Sequence, residues 1–94
     1  MKVYISGKIT GTTDYKERFA RAEEILKSQG HEAVNLCCID DGGEAKPWEW
    51  YMRRCIPLLT ECDGIYLLKG WDASKGARLE WLIACDLDMA IFTE

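Results

Sequence analysis

"DGIYLLKGWDASKGARLEWLIACDLDMAIF", Asp63–Phe92, decides the fold class. Asp63–Leu68 is apolar on both faces, as in a strand buried inside a parallel sheet. Lys69–Ala73 reads as loop, and Ser74 then stands as an N-cap before a run at helical spacing. Met89–Phe92 returns as a last short apolar strand. Parallel strands need a crossover rather than a tight turn, and a helix supplies it here.

The same alternation extends toward the N-terminus. "KVYIS" (Lys2–Ser6) is a β-branched and aromatic run ending at Gly7, and "GKITGTT" after it is loop. Asp14 with Glu17 is a capping-box-like start. Tyr15, Phe19, Ala22, Ile25 and Leu26 follow at helical spacing, with Lys27 in the last turn and Gly30 as the stop. "HEAVNL" (His31–Leu36) is a second strand, and "CCIDDGGEAK" is loop rich in turn residues. Pro47 at a first helical position opens "PWEWYMRRCIPLLTEC", which Pro57 should kink or split near Cys55. Strands alternating with helices imply parallel β-α units. The expected fold class is α/β: a small flavodoxin-like or Rossmann-like three-layer sandwich around a parallel sheet of four, or at most five, strands.

The 94 residues form one expected domain, 1–94, with an ordinary globular apolar fraction of 48%. So short a chain covers a sheet poorly, which favours a homo-oligomer with its pocket near the subunit interface. The net charge of −4 argues against a nucleic-acid polymer as partner but leaves small anionic ligands open. Five cysteines form no Cys-x-x-Cys pair, and no apolar leader precedes them, so reduced thiols in the cytoplasm are expected. Vicinal Cys37 and Cys38 have a single histidine, His31, for company, and Asp40 and Asp41 lack EF-hand spacing; neither a metal site nor a cofactor is expected. No apolar run reaches membrane-span length.

Ligands of such sheets bind at the carboxyl ends of the strands, where both Gly-rich loops fall. At about 100° per residue, Lys75, Arg78 and Asp86 share a solvent side of the last helix. Glu80 falls opposite, among Ala77, Ile83, Ala84 and Leu87. A carboxylate in an apolar stripe either escapes to water at a bent helix or points toward the strand ends. In the second case partial burial raises its pKa and strengthens it as a base or nucleophile. Ser74 and Gly76 open that helix, either as a plain N-cap or as a seat for phosphate. The loop Ser6–Gly11 has similar parts but matches neither a P-loop nor a dinucleotide fingerprint. Trp48, Trp50 and Trp71 are candidates to stack on a base, with core or interface packing as the plainer role.

"MKVYISGKITG", "WYMRRCIPLLTECDGIYLLKGW" and "SKGARLEWLIA" together cover nearly the whole chain, and they resemble the nucleoside 2-deoxyribosyltransferase-like superfamily. Within it the chain looks like a small-domain family of unknown function frequent in phages and bacteria. The last segment is similar to the Ser-x-Gly-x-x-x-Glu run of the deoxynucleoside 5′-monophosphate N-hydrolases. The resemblance implies that Glu80 is the nucleophile that attacks an anomeric carbon and that Ser74 binds a 5′-phosphate. It also implies that Gly7 and its neighbours in the loop after the first strand, Ser6, Ile9 and Thr10 among them, line the sugar and phosphate pocket; Lys8, Lys69, Trp71, Gly76 and Ala77 complete the expected binding set. Relatives usually carry proline at the positions of Lys8 and Lys69, and aspartate at Cys55. The two lysines widen an anion seat, or are plain loop charges. Cys55 cannot replace a carboxylate. Two functions follow as expectations: a nucleotide N-glycosidase or 2-deoxyribosyltransferase, or a non-catalytic oligomer that binds and sequesters a nucleotide or nucleotide-derived signal.

Overall fold

A computed structural model of the chain describes residues 1–9, 11–36 and 46–94. Its strands are β1 (Lys2–Ser6), β2 (Glu32–Val34), β3 (Gly64–Leu67) and β4 (Ala90–Thr93). Its α-helices are α1 (Tyr15–Ser28), α2 (Trp48–Thr60) and α3 (Lys75–Asp86). All four strands are parallel, in the order β2-β1-β3-β4. The expected α/β class with a four-stranded parallel sheet is therefore what the chain adopts, and it is consistent with a small flavodoxin-like or Rossmann-like fold.

Alternation along β1 sorts the two layers that cover the sheet. Val3 and Ile5 face α1 and join Phe19, Ala22 and Leu26 with Tyr66 and Leu68. Tyr4 faces the other way, into a cluster with Ile65 and Leu67, Cys55 and Leu59 of α2, and Ala84 of α3. The chain winds from β1 through α1 to β2 on one side and crosses back to β3 on the other. That reversal puts the topological switch point between the carboxyl ends of β1 and β3, where ligands bind in open sheets.

Several local expectations shift. Asp14 stands before α1, yet its side chain makes no cap bond. Its backbone (φ −110°, ψ 13°) lies outside the extended region that aims an N-cap side chain at the first turn. Gly30 does end α1, at φ +85°, with its own N–H on the Lys27 carbonyl and that of His31 on Leu26. This is a Schellman stop. Pro57 lies inside α2, which runs unbroken from Trp48 to Thr60. Arg53, whose carbonyl loses its partner to the proline, is exposed to water, as is Pro57 itself. Pro47 is the N-cap rather than the first helical residue.

β2 is shorter than expected because its pairing with β1 spans only Lys2↔Glu32 to Tyr4↔Val34. Leu87 lies past the end of α3 and is 54% exposed, not packed in the apolar stripe. Asp88 turns the chain there at φ +57°. A 3-10 helix, Trp71–Ala73, sits where plain loop was expected. Cys55, Cys62 and Cys85 are free thiols. Among the described residues no helix is long and apolar enough to cross a membrane. The expected turn at Asp40–Gly43 and the Cys37-Cys38 pair lie outside the described residues.

Candidate functional site

A cleft of about 920 Å³ opens at the switch point. Its walls come from the end of β1 and the loop after it, from the first turns of α1 and α2, and from the first turns of α3. Glu80 forms part of one wall and is 7% exposed. The reading in which it escapes to water is thus set aside. The Tyr4 hydroxyl donates to one Glu80 oxygen at 2.5 Å, and the Ser6 hydroxyl donates to the other at 2.7 Å. Tyr4 and Ser6 stand two apart on β1 and so project from the same face, toward α3.

Burial pushes the Glu80 carboxyl above the usual range, while the bonds from Tyr4 and Ser6 pull it back down; the burial effect is the larger. Tyr4 is driven far up by burial first and by the neighbouring Glu80 and Cys55 next, so it stays a neutral donor. The Cys55 thiol shares this pocket of low dielectric. Burial raises it, Glu80 raises it further, and the Tyr4 hydroxyl beside it opposes the rise. The result is a carboxylate held by two hydroxyls next to a neutral thiol. Such a group can accept a proton or attack an electrophilic carbon, and it is fixed in orientation while doing so.

Ser74 is the N-cap of α3: its hydroxyl accepts from the Ala77 N–H at 3.2 Å. It also lines the cleft, with Lys75, Gly76 and Ala77. Gly76 has a packing reason to lack a side chain, since a Cβ there would stand 3.2 Å from the Met52 sulfur and 3.5 Å from the Trp48 Nε1. Gly7 is tighter still. A Cβ would stand 2.9 Å from both Cβ and Cδ1 of Leu68, which is buried at the end of β3. The close approach that these glycines allow is therefore of protein on protein.

Ser6, Gly7, Lys8, Ile9, Ser74, Gly76, Ala77 and Glu80 all come together around the cleft, as the sequence suggested. Thr10 lies outside the described residues. Lys69 and Trp71 do not line the cleft. The backbone of Lys69 is tied down on both sides: its N–H donates to Glu94 at 2.7 Å and its carbonyl accepts from Arg18. Trp71 packs on Trp81, with ring centroids 5.4 Å apart. Tyr4, Lys16, Tyr51 and Met52 line the cleft without a sequence expectation behind them, and Trp48 and Cys55, which the sequence does single out, line it too. For Tyr4 the signal was available, because a polar-tipped residue two before Ser6 shares its face. Lys16 reaches the cleft from the first turn of α1, and Trp48, Tyr51, Met52 and Cys55 reach it from α2.

The cationic side of the cleft is carried by Lys8, Lys16 and Lys75, facing a single carboxylate among the described lining residues. In a chain of net charge −4 this is a local reversal of sign. Residues 1–93 match the family described as a domain of unknown function, DUF4406. The chain belongs to that family. No curated protein matches it.

Proposed function

We propose that this member of the DUF4406 family binds a nucleotide in the switch-point cleft and that Glu80 is poised as a nucleophile toward the anomeric carbon of its sugar. The observation that carries the reading is the buried Glu80 carboxylate, oriented by Tyr4 and Ser6 on the wall of a lysine-rimmed cleft. The chemistry is that of a nucleoside 2-deoxyribosyltransferase or a deoxynucleoside monophosphate N-glycosidase: the carboxylate forms a glycosyl ester, the base leaves, and water or a second base takes the sugar. Ser74 and the first turn of α3 seat the phosphate in this proposal, with Lys8 as a further cation lining the cleft.

A second reading has an observation of its own. Glycosidic cleavage commonly uses two carboxylates, one to attack and one to handle the leaving group's proton. Among the described residues lining the cleft Glu80 has no carboxylate companion, and the groups beside it, Tyr4 and Cys55, are both pushed toward the neutral form. This favours a protein that holds a nucleotide, or a signal made from one, without turning it over. Self-association belongs to the same proposal, with the exposed Leu82 of α3 and Leu87 just past its end as the supporting feature.

Incubation with a panel of deoxynucleoside monophosphates, heat release and chromatography separates the two. Free base that appears with the wild-type chain and is absent with Glu80→Gln supports the enzyme. Intact nucleotide recovered from the protein supports the binder. A panel in which nothing binds and nothing is cleaved overturns both.

A further inference from the structure

The four tryptophans sit in different surroundings. Trp71 and Trp81 are packed on each other away from the cleft. Trp50 is engaged by Arg54, whose guanidinium carbon stands 3.5 Å from its ring centroid, and by Tyr51, which meets it edge-on at 5.1 Å. Trp48 lines the cleft and is 38% exposed. Its indole nitrogen lies against α3 at the place left open by Gly76, so one edge of the ring is pinned. The Lys75 ammonium stands 4.1 Å from its ring centroid.

An ammonium on a partly exposed aromatic face is held by a modest cation–π attraction. A phosphate offers it a full opposite charge and stronger, charge-assisted hydrogen bonds. A nucleotide carries both things that this pair could exchange: an anion for the ammonium and a flat heterocycle for the indole. We propose that Trp48 is the stacking platform for the ligand's base, and that Lys75 trades the ring for the ligand's phosphate. The inference rests on the nucleotide reading above and adds which wall receives the base. It also makes recognition of base and phosphate cooperative, because the ammonium leaves the ring most readily when a phosphate is there to take it.

The test titrates dAMP, deoxyadenosine and 2-deoxyribose 5-phosphate into the wild-type chain, Trp48→Ala and Trp48→Phe, by calorimetry and by tryptophan emission. Stacking strengths for bases on aromatic side chains set the expected loss for Trp48→Ala at about ten-fold or more in dAMP affinity, with most of it restored by Trp48→Phe. Emission should respond to dAMP in the wild type and lose that response in Trp48→Phe, whose three other tryptophans lie elsewhere. Deoxyadenosine and the sugar phosphate should each bind at least about ten-fold more weakly than dAMP. Restoration by phenylalanine separates loss of the platform from loss of the fold. Wild-type and Trp48→Ala chains that bind dAMP equally would overturn the platform and leave the nucleotide reading standing. Failure of the wild type to bind any deoxynucleoside monophosphate overturns both.

Discussion

Replacing Tyr4 by phenylalanine removes one oxygen from the pair that orients Glu80, and the consequences can be worked out in sign and size. The bond is short and nearly dry, since Tyr4 is 3% exposed and Glu80 7%. Hydrogen bonds to a charged partner contribute about 1.5–3 kcal/mol, roughly twice a neutral one. At a pH where Glu80 is ionised, Tyr4→Phe should therefore lower stability by about 2 kcal/mol, on the order of 10 °C in melting temperature for a domain of this size. In a Glu80→Gln background the partner is neutral, and the same substitution should cost only about 1 kcal/mol. Urea melts of the four proteins of this cycle give the coupling directly. Losses equal within about 0.5 kcal/mol in the two backgrounds would refute an ionised Glu80 held by Tyr4.

The pH dependence follows from the same groups. The Tyr4 bond lowers the Glu80 pKa, so its extra stabilisation is present while Glu80 is ionised and is lost as pH falls through the folded-state value. Burial acts in the opposite sense and wins. The folded pKa lies above that of the unfolded chain, about 4.3, and the native state binds the proton more tightly. Glu80 ionisation thus subtracts stability as pH rises through the interval between the unfolded and folded values. Glu80→Gln should flatten the wild-type decline across that interval; an unchanged slope would place the titrating group elsewhere.

Two further substitutions probe the scaffold. Gly7→Ala puts a methyl group 2.9 Å from the Cβ of buried Leu68, so the strand ends must separate; a loss of about 1–3 kcal/mol in urea unfolding is expected, and a neutral result would show the switch point to be slack. Asp88 occupies a left-handed conformation at the Schellman turn after α3, with its N–H on Cys85 and the Met89 N–H on Ala84. Asp88→Gly should relieve that strain and raise stability by up to about 1 kcal/mol, read as a higher urea midpoint.

The fold was legible because each element carries its own period. β3 is apolar on both faces, α1 repeats every three to four residues, and Gly30 marks its stop where the backbone turns left-handed. Glu80 was legible for a related reason: a charge in the middle of an apolar stripe breaks the pattern and calls for a cause. Local signals also misled. Asp14 has the residue type of a cap without the backbone to use it, and Pro57 sits where an exposed Arg53 carbonyl can lose its partner to water. The pocket itself was half legible. Ser6 and Ser74–Ala77 follow from the rule that ligands meet strand ends and helix starts. Trp48, Met52 and Cys55 reach the cleft because α2 lies across the mouth of α3, a relation between elements distant in the chain. Lys69 and Trp71 follow the same strand-end rule and fall outside the cleft, since the backbone of the first is tied to Arg18 and Glu94 and the ring of the second to Trp81.

Glu80 makes a poor element of stability, and that is a reason to regard it as an element of function. Two hydroxyls satisfy its oxygens, yet its pKa still lies above the free value, so the hydrogen bonds do not fully offset the loss of water. For folding alone, an apolar side chain on the same face as Ala77 and Ala84 would avoid that desolvation, and buried polar clusters are often replaceable by apolar ones without loss. Tyr4 and Ser6 extend the point. Both are buried on β1, and both hydroxyls are aimed at this one carboxylate rather than at the backbone. Three polar side chains from β1 and α3 converge in a region otherwise lined by Cys55, Leu59 and Ile65, at the one place where the strand order reverses and a cleft must open. A core optimised for burial would not concentrate its polar atoms there; a core that presents an oriented carboxylate to a ligand would.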